Sequence, residues 1–276
     1  MKYLHTLILI FLSVFAFNLS ATSVFLSGES ISAVRAPGTS YRSYLAPSLQ
    51  KAEDDSVVVR AEVFSEKELL DVLSKMDFEE KKDQELLDAY QWVRDFRFFQ
   101  TEQQPYFLRR ISWQYPDDGC FTRAEMAINQ LFDHGFQGLK KIFVFGDLEA
   151  FSGNAPTGVV TWWFHVAPLV KSEGKYYVLD PAISPSKILS LQAWLQSMKQ
   201  DFGTAEIAVC DSHTYGPQSS CGHPKPLTAG TLNSHQESFL LKEWFRAEDL
   251  GRDPFVVLGE QPPWGAVSFR QEYNKR

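Results

Sequence analysis

Cysteine is scarce: there are three in 276 residues, too few for a disulfide scaffold, and the odd number leaves one thiol over. No long basic run interrupts a chain of formal net charge −7, which excludes nucleic acid and anionic membrane surfaces as natural partners. Internal repeats and low-complexity tracts are missing too. So is any apolar run of the roughly 20 residues that a membrane-spanning helix needs. What remains is an ordinary globular composition, 44% hydrophobic and 14% aromatic, sufficient for one large domain or one domain with appendages.

The first residues read as a targeting segment. Lys2 and His5 precede an apolar run from Leu7 to Phe17, which ends in Asn18-Leu19-Ser20-Ala21-Thr22-Ser23. A positive start, a short apolar stretch and the small residues Ala21 and Ser23 describe a secretory signal peptide over residues 1–23. Asn18 and the Ser/Thr cluster arrive too early for a membrane anchor. The mature chain is therefore expected to be secreted or periplasmic. Residues 24–62 mix Gly, Ser and Pro with isolated apolar residues; they read as a leader or a short pro-segment, with Val57-Val58-Val59 as a short strand.

From Ser65 the texture becomes periodic. Ser65 and Glu68 have capping-box spacing, and Leu69, Leu70, Val72, Leu73 and Met76 follow at helical intervals. A second helix carries Leu86, Leu87, Tyr90 and Val93. The carboxylates between them, Glu79, Glu80, Asp83 and Glu85, alternate with Lys81 and Lys82 and read as a solvated face. A third helix starts at Cys120, behind the turn Tyr115-Pro116-Asp117-Asp118-Gly119. Its apolar face is Ala124, Ala127, Ile128, Leu131 and Phe132, and His134-Gly135 ends it. Ile142–Phe145 reads as a strand, Gly146–Gly158 as a loop, and Val159–Val170 as a second strand. Ser172-Glu173-Gly174 turns the chain into a third strand, Lys175–Leu179, which ends at Asp180-Pro181. Helix followed by antiparallel sheet is an α+β order.

Three residues in this region combine into a chemistry. The free N–H groups and dipole at a helix start favour negative charge, which raises the thiolate fraction of a cysteine placed there. A thiolate nucleophile needs a proton shuttle, and the shuttle needs a residue to orient it. If Lys171–Gly174 forms the loop, Val170 pairs with Lys175 and His165 falls opposite Asp180. Their Cβ atoms would then stand about 5 Å apart on one face. A carboxylate there can hold the imidazole N–H and stabilise the imidazolium. Each member taken singly has a structural reading, as a small buried thiol, a core histidine or a turn aspartate. Their conjunction points to nucleophilic catalysis.

Four stretches carry a resemblance: Tyr-Pro-Asp-Asp-Gly-Cys-Phe-Thr-Arg-Ala (115–124), Phe-Val-Phe-Gly-Asp-Leu (143–148), Trp-Trp-Phe-His-Val-Ala (162–167) and Val-Leu-Asp-Pro (178–181). In that order they resemble the secreted bacterial protein-glutamine glutaminases, protein deamidases whose core is like that of transglutaminases and, more distantly, papain-like proteases. The resemblance implies Cys120 as nucleophile, His165 as general base and acid, and Asp180 as the residue that orients the ring. It makes Trp162 a wall of the substrate slot; Arg123 and Asp147, which also fall in the matching stretches, read as structural residues. It implies acyl transfer through a thioester without metal or organic cofactor, on protein or peptide substrates bearing exposed glutamine. The fold it implies is a helix carrying Cys120 packed on an antiparallel sheet carrying His165 and Asp180. The catalytic domain would span 63–190 and a packed C-terminal extension 191–276, in a monomer with no membrane contact after signal cleavage. Two other readings stay open: a transglutaminase or cysteine peptidase using the same three residues, and a non-catalytic exported binding module.

Cys210 and Cys221 enclose a short segment containing Gly216 and Pro217. In an oxidising compartment they form a disulfide. The competing arrangement is a metal site with His213 and His223, whose spacing fits no common zinc pattern well. Further on, His235 opens a helix with Phe239, Leu240, Glu243, Trp244 and Leu250, stopped by Gly251, and Pro262-Pro263-Trp264-Gly265 is irregular.

Overall fold

The computed structural model describes residues 59–101 and 107–259. The signal peptide read at 1–23, the leader up to residue 58 and the irregular end at 262–265 lie outside the described residues.

The first helix, α1 (Glu66–Ser74), forms as the capping box requires. The Ser65 side chain accepts from the Glu68 N–H, and the Glu68 carboxylate accepts from the Ser65 N–H at 2.9 Å. Helix α2 (Asp83–Asp95) buries Leu86, Leu87, Tyr90 and Val93, the apolar stripe of the sequence. Helix α3 (Cys120–Asp133) begins at Cys120 and ends at His134. Two shorter helices, α4 (Leu191–Ser197) and α6 (Pro254–Val257), flank the long α5 (Ala229–Asp249). The sequence reading started α5 at His235. It starts six residues earlier because the Thr228 hydroxyl accepts the Thr231 N–H and caps a first turn of weak helix formers.

The strands are β1 (Glu62–Val63), β2 (Glu80–Lys81), β3 (Lys140–Phe151), β4 (Val159–Ser172), β5 (Lys175–Val178), β6 (Leu189–Ser190) and β7 (Glu206–Asp211). Among the described residues they form one seven-stranded sheet in the order β1-β7-β3-β4-β5-β6, antiparallel throughout that path, with β2 lying parallel beside β4. A short strand near the leader is Glu62–Val63 at the sheet edge, and the strand read at Val57–Val59 falls largely outside the described residues. Both faces of the sheet are covered, which is why β3 and β4 are nearly continuous apolar runs. One face meets α2, α3 and α5 through Tyr90, Ala127, Phe143, Val166 and Phe239. The other meets α1 and α4 through Leu73, Val144, Leu169 and Trp194. The class is α+β, as read.

Two local expectations are corrected. The loop read at Gly146–Gly158 is confined to residues 152–158: β3 continues to Phe151 through a bulge, in which Gly146 and Asp147 stand against Trp163 alone. Gly146 takes φ +147°, so the glycine that suggested a loop instead permits the bulge. The β4–β5 turn is also tighter than the assumed loop. Ser172 pairs with Lys175 and Val170 with Tyr177, while Glu173 (φ 46°) and Gly174 (φ 74°) form the two-residue turn. Positive φ at both positions is the signature of a type I′ hairpin, whose twist matches that of the strands. The Glu80 carboxylate accepts the Gly174 N–H and pairs with Lys171 at 2.7 Å, bracing the turn from β2.

Candidate active site

The hairpin correction moves the register by two residues. Extended past its last pair, Leu169↔Val178, and the Leu179 N–H to Pro168 bond, the ladder's register sets Asp180 against Ala167. His165 and Asp180 are therefore diagonal neighbours, not opposite ones. A shift of two preserves the face, and a diagonal pair remains within reach of long side chains. His165 Nε2 meets Asp180 Oδ2 at 2.7 Å, with the residues 1% and 4% exposed. Asp180 itself lies beyond the end of β5, where its carbonyl accepts the Ile183 and Ser184 N–H groups and starts the next turn.

The β3 bulge has a second consequence. Residues three apart on a regular strand face opposite ways. Here Trp162 pairs with Leu148 and His165 with Val144, and both partners belong to the same apolar cluster. The irregularity brings Trp162 and His165 to one side, and their rings stack at 4.8 Å and 28°. The Trp162 indole N–H donates to the Pro116 carbonyl at 3.0 Å, and the residue is 1% exposed. Its ring and its N–H thus face the imidazole and the approach to α3.

That approach, Tyr115–Gly119, is held from three sides. Arg123 reaches back from α3 to donate to the carbonyls of Tyr115 (2.8 Å) and Asp118 (2.6 Å). Arg246 pairs with Asp117 at 2.5 Å from α5. Gly119, at φ +81°, is the N-cap of α3, and a Cβ there would meet the Phe239 ring at 2.9 Å. Only glycine fits both that backbone and that contact. Cys120 is then the first helical residue, where N–H groups lack helical acceptors. It is 2% exposed and is the free cysteine among the described residues.

The electrostatics of the pair are directional. Burial alone would depress the proton affinity of His165. The Asp180 carboxylate, by charge and hydrogen bond, and the neighbouring Cys120 sulfur overcome that and raise its pKa from 6.5 to about 9. Burial pushes the Asp180 carboxyl up, but His165, then the Trp194 N–H and the more distant Arg123 charge, hold it below the usual carboxylate range. His165 Nδ1 makes no well-aligned hydrogen bond among the described residues. With Nε2 occupied by Asp180, Nδ1 is the nitrogen available to the sulfur.

The structure thus brings together Cys120, His165, Asp180 and Trp162. Arg123 has the structural role read for it, and Asp147 sits exposed in the bulge. Cys210 and Cys221 form a disulfide with S–S 2.02 Å, which takes up the two thiols of the competing metal arrangement. Two contributors escaped the sequence reading. One is Trp194 on α4, which donates to Asp180 Oδ2 at 2.9 Å. The other is α5, whose Phe239 packs on Gly119 and Phe121.

Comparison with known proteins matches one segment, residues 92–198, to the model of a family described as glutaminase. The resemblance read from the four stretches stands there. The matched segment contains Cys120, His165 and Asp180, and it runs past residue 190, where the sequence reading ended the catalytic domain. Among solved structures the chain is similar to pro-protein-glutaminase, with 23% identity and TM-score 0.47. That match covers 60% of this chain and 60% of the other, so the chain spans about three fifths of that protein. It is also similar to protein-glutaminase from Chryseobacterium proteolyticum (22% identity, TM-score 0.47, 59% and 89% covered). A crystal structure of protein-glutaminase gives 20%, 0.44, 69% and 95%. No curated protein matches the chain.

Proposed function

We propose that this chain is an exported protein-glutamine glutaminase, hydrolysing the side-chain amide of protein- or peptide-bound glutamine to glutamate and ammonia. The observation that carries the proposal is a buried imidazole held at one nitrogen by a carboxylate and open at the other beside the free thiol. The glutaminase family match over residues 92–198 supports the amide as substrate.

In this mechanism Cys120, as thiolate beside the imidazolium of His165, attacks the γ-carboxamide carbon of glutamine. Backbone N–H groups at the start of α3, that of Cys120 among them, stabilise the oxyanion, each contributing about 3 kcal/mol in comparable sites. His165 gives its proton to the departing ammonia. The neutral ring then takes a proton from water, whose oxygen attacks the thioester, and glutamate leaves as the thiolate returns. Asp180 keeps the ring oriented and stabilises its charged form. Trp162 forms the wall behind the imidazole. No step calls on a metal or organic cofactor.

With Cys120 and His165 2% and 1% exposed, a protein-bound glutamine reaches the sulfur only after the residues around it give way. The Cys210–Cys221 disulfide supports an oxidising compartment, in keeping with the signal peptide read at 1–23. No helix among the described residues is long and apolar enough to cross a membrane. The catalytic unit begins at residue 63 and includes α4, since Trp194 contacts the catalytic aspartate.

The test is to incubate the protein with a glutamine-rich substrate protein and follow three products together. Ammonia without cross-links or new N-termini is the expected result. Cross-linking would make the chain a transglutaminase, new N-termini a peptidase, and silence in all three a binding module.

A further inference from the structure

We propose that Trp194 is a positioning residue of this reaction, its indole N–H fixing the carboxylate oxygen of Asp180 that faces His165. The inference rests on the catalytic reading of Cys120, His165 and Asp180, and adds a residue from outside that set.

The same oxygen, Asp180 Oδ2, receives both the His165 Nε2 contact at 2.7 Å and the Trp194 Nε1–H at 2.9 Å. A carboxylate can rotate about its terminal torsion, since such bonds are broad and nearly two-fold. Asp180 has no strand partner to restrain it, because β5 ends at Val178. The side-chain hydrogen bonds that hold its charge are those from His165 and Trp194. A second donor on the shared oxygen makes one orientation of the carboxylate preferred, and with it one orientation of the imidazole.

Trp194 is itself rigidly placed. It is 0% exposed on α4, between buried Leu191 and Leu195, and α4 is capped by the Ser190 hydroxyl accepting the Ala193 N–H. Its ring lies 5.8 Å from that of His165 at 36°. A buried indole needs some acceptor for its N–H, and many would serve a purely structural purpose. This one is the carboxylate of the catalytic pair.

The experiment compares wild type with Trp194→Phe, which keeps an aromatic ring and removes the N–H. It also uses a protein carrying 3-benzothienylalanine at position 194, whose ring sulfur fills the same volume and cannot donate. Ammonia release is measured as kcat and KM across pH, and the His165 ring is titrated by NMR. Both replacements are expected to lower kcat about tenfold, part of the roughly 10²–10⁴-fold that a positioned acid–base supplies, with KM within about twofold. His165 should titrate higher by roughly half a unit, because Oδ2, freed of the competing N–H, carries more negative charge toward the ring. The alkaline limb of kcat should move up with it. If both variants keep wild-type kcat and an unshifted His165 titration, the proposal is overturned. A Trp194→Phe protein that fails to fold leaves the isosteric replacement to decide. Should wild type release no ammonia, the deamidase reading falls by itself, and the His165 titration still decides whether Trp194 positions the pair.

Discussion

Lys141 on β3 and His165 on β4 are both buried bases held by carboxylates, and the two sites are completed differently. Lys141 contacts Glu125 of α3 and donates to the Thr214 carbonyl at 3.0 Å, while the other Glu125 oxygen meets His213 Nδ1 at 3.2 Å. Burial lowers the Lys141 pKa, with Glu125 opposing it. Around His165 the carboxylate side is equally well supplied, yet one ring nitrogen is left without an aligned partner among the described residues. A saturated pair locks a helix to a sheet. A pair with one open nitrogen beside a free thiol retains the capacity to move a proton.

The sharpest way to break that comparison is to neutralise each acid in turn. Asp180→Asn is expected to lower kcat by about 10³-fold or more, as loss of the orienting acid does in comparable triads. Glu125→Gln is expected to leave kcat within about threefold and to destabilise the fold by about 3 kcal/mol, because it strands a buried ammonium. Ammonia release and urea denaturation on both variants measure this, and reversed effects would refute the assignment of roles.

pH separates the two sites further. His165 has a folded pKa raised to about 9 from 6.5, so its contribution is fully present below about pH 6.5 and is lost as pH rises through about 9. At 1.36 kcal/mol per unit this amounts to about 3 kcal/mol. Thermal unfolding of wild type should show that decline between pH 6.5 and 9.5, and His165→Gln should flatten it. An unchanged slope in the variant would place the raised proton affinity elsewhere.

Removing the Cys210–Cys221 bridge by a double Cys→Ser change should cost about 2–3 kcal/mol for a loop of this size. Cys120 reactivity should survive, since the bridge and the nucleophile use different cysteines. The smallest effect belongs to the hairpin. Glu173→Asn places a residue tolerant of positive φ in the type I′ turn and should stabilise the fold by about 0.5–1 kcal/mol. A loss of stability would contradict the turn.

Much of the candidate site was legible because chemistry and period 2 act together. Cys120 follows a turn and opens an apolar helical stripe, and His165 and Asp180 flank a turn signal. The observed register differs by two residues from the expected one, which keeps both side chains on one face. A difference of one would have separated them. What escaped notice escaped for physical reasons. Gly146 favours a loop and a bulge alike, and pairing to β4 decides between them. Ala229–Ser234 is a weak helix former on its own, and the Thr228 cap is what carries α5 through it. Trp194 sits in an apolar pattern with Leu191 and Leu195 that any buried helix shows, and no local signal reveals where an indole N–H will point.

The central claim, that the Cys120 sulfur is the nucleophile of an amide hydrolysis, is tested most directly by ammonia release from a glutamine-rich protein, wild type beside Cys120→Ala. Wild type should release ammonia, and the variant, shown folded by circular dichroism, should release it at least about 10³-fold more slowly. Equal rates from the two proteins would contradict it.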